Sequence, residues 1–370
     1  MKKENKIIVP ILIFLAFILG SAWSYFVITN LGDKKTTLSQ IVGNYTIDEN
    51  SISGAVEKVY DATVTVITYK EGNQVSSGTG FVYKAEGNTA YIMTNNHVIS
   101  SGDSAKILFS DGTEADTKIL GGDTYADIAV LTASAKSIKQ IATIGKTDNL
   151  KLGDTTFAVG APLGDTYSGT VTKGILSGKD RLVEVSFSGN ASDYYMKVLQ
   201  TDAALNPGNS GGPLCNINGE VIGVTSLKLT QEKISLTSTY SVEGMGFAIP
   251  IEDALYYAEI IETGKSVKRP YIGISMLDIT DSYYLWQAGI KVPEDIKTGV
   301  AILEVVSSSP AEKAGFQKGD VITKLENEKI ESVAELRYEL YKHKPGETIT
   351  ITYNRNGKEK TTSVTLEEAK

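Results

Sequence analysis

Hydrophobic and polar positions fall into three regimes along the chain. Residues 7–29 carry no charged side chain and include Ile11-Leu12-Ile13-Phe14-Leu15-Ala16-Phe17-Ile18-Leu19. Such a stretch predicts a single transmembrane helix. Lys2, Lys3 and Lys6 before it favour a cytoplasmic N-terminus, although Lys34 and Lys35 beyond it weaken the contrast. The competing expectation is a signal peptide cleaved near Gly20-Ser21-Ala22, leaving a secreted protein. The apolar run continues through Trp23, Tyr25, Phe26 and Val27, which favours the uncleaved anchor. Both readings place the bulk of the chain outside the cytoplasm. Residues 31–50 are polar and aperiodic, as a spacer would be.

Between Ala62 and Ile249 the pattern changes to short β-branched or aromatic runs, such as Ala62-Thr63-Val64-Thr65-Val66-Ile67 and Glu220-Val221-Ile222-Gly223-Val224, separated by Gly, Asn, Asp and Ser. That alternation, with little amphipathic helix, predicts an all-β domain over residues 51–264. Lys265-Ser266-Val267-Lys268-Arg269 lies between Gly264 and Pro270 and reads as an interdomain linker. Residues 270–370 mix strands with a helix at 332–341, and Asn354-Arg355-Asn356-Gly357 turns into a last strand near 361–366. A further helix, Tyr283-Tyr284-Leu285-Trp286-Gln287-Ala288-Gly289-Ile290, looks like an insertion whose aromatics either bind a partner or, the commoner case, fill the core.

Candidate chemistry centres on Ser210, in Asn206-Pro207-Gly208-Asn209-Ser210-Gly211-Gly212-Pro213-Leu214. A serine hydroxyl needs a base to become a nucleophile, and the chain has only two histidines, His97 and His343. His97 follows the β-rich run Ala90-Tyr91-Ile92-Met93-Thr94 and sits where a strand ends, whereas His343 lies in a basic helix end before Pro345-Gly346. The imidazole requires a carboxylate to orient it, and Asp127, beside Ile128-Ala129-Val130-Leu131, is the candidate. Asp103, Asp111, Asp116 and Asp123 sit in turn-forming sequence, and Asp202 is a second candidate. The order His97, Asp127, Ser210 is that of the chymotrypsin class. Glycines around Ser210 let backbone N–H groups converge beside the hydroxyl as an oxyanion hole, although the same residues also make ordinary turns.

Seven segments together resemble the HtrA/Deg family of trypsin-like serine proteases carrying a PDZ domain: residues 77–82, 94–98, 127–131, 158–164, 171–177, 201–214 and 244–250. The resemblance covers residue 52 to the C-terminus. It implies a mainly β protein, a chymotrypsin-like pair of six-stranded β-barrels followed by a PDZ domain, with His97 and Asp127 on the first barrel and Ser210 on the second. It places the oxyanion hole in Gly208-Asn209-Ser210, with the N–H groups of Gly208 and Ser210 as donors. The substrate pocket would be floored by Leu205 and walled by Leu227 or Leu229, uncharged side chains that favour small to medium apolar residues. In the PDZ domain, which shares Ser309-Pro310-Ala311 and Lys318-Gly319-Asp320, a C-terminal peptide would meet the loop Tyr271-Ile272-Gly273-Ile274 beside a helix bearing Val333 and Leu336. A purely structural PDZ role is the alternative. The implied activity is degradation of unfolded or mislocalised proteins in extracytoplasmic quality control; a peptide-binding chaperone or sensor with a non-working triad is the rival. The family also implies a homotrimer, and the short segment 71–79 favours a simple one.

Composition narrows the rest. One cysteine, Cys215, excludes an intramolecular disulfide, and its apolar setting after Pro213-Leu214 marks a buried hydrophobe rather than a reactive thiol. A net charge of −8 with no concentrated basic face excludes nucleic acid as a partner. The expected mechanism needs no metal or cofactor.

Overall fold

The computed structural model describes residues 18–22, 49–161, 168–185, 194–226 and 244–369. Residues 18–22 are helical and exposed, and most of the predicted membrane span, with most of the spacer, lies outside the described residues. Among the described residues no helix is long and apolar enough to cross a membrane.

Helix α1 (Glu49–Glu57) precedes a seven-stranded sheet: β1 (Thr63–Lys70), β2 (Asn73–Glu86), β3 (Thr89–Thr94), β4 (Ser104–Leu108), β5 (Glu114–Asp116), β6 (Lys118–Asp123) and β7 (Ile128–Ser134). The ladder order is β5-β4-β1-β2-β3-β7-β6. Six strands were expected, and the seventh has a local cause. β5 and β6 are one bent strand interrupted at Thr117, whose hydroxyl donates to the Ala105 carbonyl at 2.6 Å. One half pairs with β4 and the other with β7, so the bend carries the chain from one edge of the sheet to the other.

A closed six-stranded barrel follows, in the order β10-β13-β12-β11-β8-β9. Its strands are β8 (Thr155–Gly160), β9 (Thr170–Val185), β10 (Tyr194–Thr201), β11 (Pro213–Asn216), β12 (Val221–Thr225) and β13 (Gly246–Pro250). Each barrel has its own apolar interior, around Val66, Ile92 and Leu131 in the first and Leu176, Leu199 and Leu214 in the second. A third cluster joins Phe81, Met93 and Ile128 to Phe157, Val198 and Val224, packing one barrel on the other. Each fully buried side chain of this size contributes about 1.5–3 kcal/mol. Cys215 is one of the buried residues of this cluster, as expected.

The helix that closes this domain, α3 (Ile251–Glu262), was not expected; α2 (Asn96–Ile99) is the short turn that carries His97. Its signal is present: Glu252 and Asp253 stand in its first turn, and Ile251, Ala254, Ala258 and Ile261 recur on one buried stripe.

The C-terminal domain holds β14 (Pro270–Tyr271), β15 (Ile274–Asp278), α4 (Ser282–Gln287), β16 (Val300–Val305), α5 (Pro310–Lys313), β17 (Val321–Leu325), β18 (Glu328–Lys329), α6 (Val333–Leu340), β19 (Thr348–Arg355), β20 (Lys358–Thr365) and β21 (Glu367–Glu368). Its main sheet runs β15-β16-β17-β19-β20, and β14 pairs with β21. Asn356 and Gly357, both at positive φ, make the tight β19–β20 hairpin that the sequence announced. Ser332 caps α6 by accepting the Glu335 N–H. α4 departs from the core expectation: Leu285 is buried, but Tyr283, Tyr284 and Trp286 are 63%, 60% and 76% exposed.

Candidate active site

His97 and Asp127 come from opposite ends of paired strands. β3 pairs antiparallel with β7, so the turn after Thr94 and the turn before Ile128 lie side by side. Asp127 takes a positive φ of 53°, a conformation that costs most side chains energy but suits Asp comparatively well. Its surroundings over-determine that turn. The Asp127 carbonyl accepts from the Asn95 side-chain amide at 2.8 Å and the Asn96 N–H at 3.2 Å. One carboxylate oxygen, Oδ1, accepts from the His97 backbone N–H at 3.0 Å.

His97 Nδ1 lies 2.9 Å from Asp127 Oδ1 and 2.8 Å from Oδ2. An ionised carboxylate only accepts, so this contact calls for the proton on Nδ1 and leaves Nε2 as the basic atom. The side chain of Asp127 is 1% exposed and that of His97 32% exposed, so the orienting group is dry while the base reaches the surface. Ser226, immediately after β12, donates its hydroxyl to Asp127 Oδ2 at 3.0 Å. The sequence reading gave no role to Asn95, although it lies in the segment that carries His97, or to Ser226, which lies in none of the seven segments.

Ser210 stands in the turn before β11, and it is buried with Asn209. Hydrogen bonds from both barrels fasten this turn. The Thr79 N–H of β2 donates to the Ser210 carbonyl at 2.9 Å, and the Thr79 hydroxyl donates to the Gly208 carbonyl at 2.6 Å. The Thr225 hydroxyl donates to the Asn209 carbonyl at 2.6 Å, and the Gly212 N–H donates to the same carbonyl at 2.9 Å. Gly211 adopts φ of 86°, and a Cβ there would lie 2.4 Å from Thr94 Oγ1 and 2.9 Å from the Asn95 nitrogen. The nucleophile turn therefore rests directly on the strand end that leads to His97, and no larger residue fits between them.

The other candidates fall elsewhere. Asp202 is exposed and accepts the Ile175 N–H at 2.6 Å. His343 pairs with Glu347 at 3.0 Å in the C-terminal domain, away from the triad residues in sequence and fold. Asp111 closes its own turn by accepting the Thr113 N–H at 3.0 Å, whereas Asp103 accepts the Glu71 N–H at 3.0 Å from the turn between β1 and β2. Asp123 accepts the Ala126 N–H at 2.7 Å. Leu205 is half-buried beside the second barrel's interior, and a Cβ on Gly246 would lie 2.8 Å from its Cδ1. Leu227 and Leu229 lie outside the described residues.

In the C-terminal domain, Tyr271 ends β14, Ile272 is buried, Gly273 takes φ of 83° and Ile274 opens β15. The Ile272 carbonyl accepts from Ala311 N–H at 2.8 Å and the Gly273 carbonyl from Val306 N–H at 2.9 Å, which fixes the loop. Val333 and Leu336 are buried in the core under this sheet. β15 ends the sheet order, so its outer edge has no strand beside it among the described residues.

Comparison with known proteins fits this geometry. A trypsin-like peptidase domain matches residues 78–224, and a PDZ domain matches residues 270–366. The serine protease Do-like HtrA of Lactococcus lactis subsp. cremoris is 36% identical over 381 residues, covering 96% of this chain and 93% of that protein. The Bacillus subtilis protein of the same description is 42% identical over 301 residues; the match covers 80% of this chain and 65% of that longer protein. Among solved structures, the HtrA-type protease AlgW with decapeptide superposes with a TM-score of 0.64 at 26% identity, over 86% of this chain and 99% of that one. The serine endoprotease from Yersinia pestis superposes with a TM-score of 0.62 at 28% identity, over 86% of this chain and 98% of that one.

Proposed function

This chain belongs to the HtrA family of trypsin-like serine proteases with a PDZ domain, and on that premise we propose that it is a membrane-anchored endopeptidase degrading unfolded or mislocalised proteins outside the cytoplasm. The observation that carries the catalytic reading is the buried Asp127 carboxylate, which holds His97 by Nδ1 while a turn stitched to both barrels presents Ser210.

His97 Nε2 takes the Ser210 proton as Oγ attacks the scissile carbonyl carbon. The carbonyl oxygen gains the negative charge and is received by the N–H groups of Gly208 and Ser210. Collapse of this intermediate breaks the C–N bond, and the imidazolium gives its proton to the leaving amine. Water then enters by the same route: His97 deprotonates it, the acyl–Oγ bond breaks, and Ser210 recovers its proton. Asp127 remains ionised throughout and stabilises the imidazolium. Leu205 supports an apolar preference at the pocket floor, worth about 1–3 kcal/mol per methylene.

A C-terminal peptide would extend the sheet along the free edge of β15, its carboxylate meeting the Tyr271-Ile272-Gly273-Ile274 loop. Residues 7–29 would anchor the chain with both folded domains outside the cytoplasm. Assembly as a homotrimer follows the family and is tested by light scattering. The functional test is degradation of a permanently unfolded protein by the full chain in detergent, beside Ser210→Ala. Turnover lost in the variant supports the protease. Equal turnover, or none in either across a range of added C-terminal peptides, supports a chaperone or sensor instead.

A further inference from the structure

We propose that Arg269, in the linker to the PDZ domain, is a positioning residue for the catalytic carboxylate, acting through Asp123. This rests on the assignment of Asp127 and His97 above. Asp123 ends β6, four residues before Asp127, and the three residues Thr124, Tyr125 and Ala126 join them in a turn. Its Oδ1 accepts the Ala126 N–H at 2.7 Å, so the carboxylate braces the backbone one residue before Asp127.

The same carboxylate receives the Arg269 guanidinium in a two-pronged pair, Nη1 to Oδ2 at 2.5 Å and Nη2 to Oδ1 at 2.6 Å. The side chains are 12% and 9% exposed, which removes this pair from the class of surface ion pairs that contribute little. Aromatic rings from three elements surround the cation. Tyr125 of the Asp127 turn lies 4.6 Å away, Tyr341 after α6 of the PDZ domain 5.5 Å, and Tyr257 of α3 6.0 Å. Tyr125 also meets Tyr341 edge-on at 5.3 Å. The turn between Asp123 and Asp127 is thus held from outside by the linker and the end of a PDZ helix.

Burial gives this contact its leverage. Without Arg269, Asp123 would keep a charge with no counter-charge in a nearly dry site, a state that a carboxylate escapes by taking a proton or turning towards water. Either response weakens the brace on Ala126. Asp127 then has less to hold it at positive φ, and the 2.8 Å contact with His97 loosens. Misplacement of a catalytic group by about 1 Å can cost about a hundredfold in rate.

The test uses the full chain with Arg269→Gln and Arg269→Lys, and Arg269→Gln combined with Asp123→Asn as a variant without either buried charge. Three readouts are taken: kcat and KM on a short peptide, the rate of Ser210 modification by a small fluorophosphonate, and the downfield proton resonance of His97 Nδ1–H. Arg269→Gln should lower kcat and the modification rate about tenfold to a hundredfold, move KM less than about twofold, and broaden the resonance. Arg269→Lys should fall between it and the parent, because an ammonium keeps the charge but not the fork. The double variant, in which the Asp123→Asn amide carries no charge and its oxygen can still accept the Ala126 N–H, should recover part of the lost kcat, and if Arg269→Gln does not fold, Arg269→Lys should still show a kcat below the parent's. Folded variants with a lower unfolding midpoint but parental kcat and an unchanged resonance would reduce Arg269 to a bolt between domains and overturn the proposal. Absence of Ser210 modification in the parent would instead defeat the triad assignment, and the resonance would still report on Arg269.

Discussion

The Thr225 hydroxyl lies 2.6 Å from the Asn209 carbonyl and fixes the peptide plane whose other end is the Ser210 N–H. A trans peptide points its N–H opposite its C=O, so holding the Asn209 oxygen aims a proposed oxyanion donor. Thr225→Val keeps the shape of the side chain and removes the bond. It should lower kcat about tenfold to a hundredfold with little change in KM, short of the loss expected when an oxyanion donor is deleted outright. Steady-state kinetics on a fluorogenic peptide would check this, and a raised KM with unchanged kcat would count against it.

Ser226→Ala removes one of the donors to a carboxylate that is 1% exposed. Hydrogen bonds to charged groups contribute about 1.5–3 kcal/mol, so the variant should lose about tenfold to a hundredfold in kcat/KM. Asp127→Asn should lose more, about ten-thousandfold, because an amide can present the wrong partner to Nδ1. The ranking of the two variants is the informative result.

Burial pushes the Cys215 thiol well above the ordinary range, so the reactive thiolate is scarce at neutral pH. The folded chain should resist a thiol reagent at pH 8 and take up one equivalent after denaturation. Full labelling of the folded protein would contradict the packing around β11.

Desolvation raises the Asp278 carboxyl, the Val333 N–H opposes it, and Asp281 and Glu184 add repulsion that Arg337 partly offsets. A raised folded-state value means that this group's stabilising share is complete below the ordinary carboxylate range and is lost as pH rises through the raised value. At neutral pH the charge is therefore a cost. Asp278→Asn retains an oxygen for the Val333 N–H, which now lies 2.5 Å from Asp278 Oδ1. The variant should unfold at a higher temperature than the parent at pH 7, with the gap closing towards about pH 4. A gap that widens on acidification would reverse the sign.

Much of the architecture was legible because local pattern and tertiary burial agree in it. Short β-branched runs became barrel strands, Ser332 and Tyr341 bounded α6 as the helix signals indicated, and Asn356-Gly357 made its hairpin. The His97–Asp127 contact was legible from residue types and their order. What escaped depends on partners distant in sequence. Asp123 reads locally as a turn residue, and only the fold brings Arg269 to it across 146 positions. Ser226 approaches Asp127 across 99 positions for the same reason. The apolar-looking helix α4 misled because burial of Leu285 alone satisfies its packing, leaving three aromatics outside.

The most direct test of the central assignment is mass mapping of the full chain after reaction with a fluorophosphonate, beside His97→Ala. One adduct on Ser210 in the parent, and at least about a hundredfold slower modification in the variant, is the expected result. Modification at another residue, or equal rates in parent and variant, would contradict a Ser210 nucleophile activated by His97.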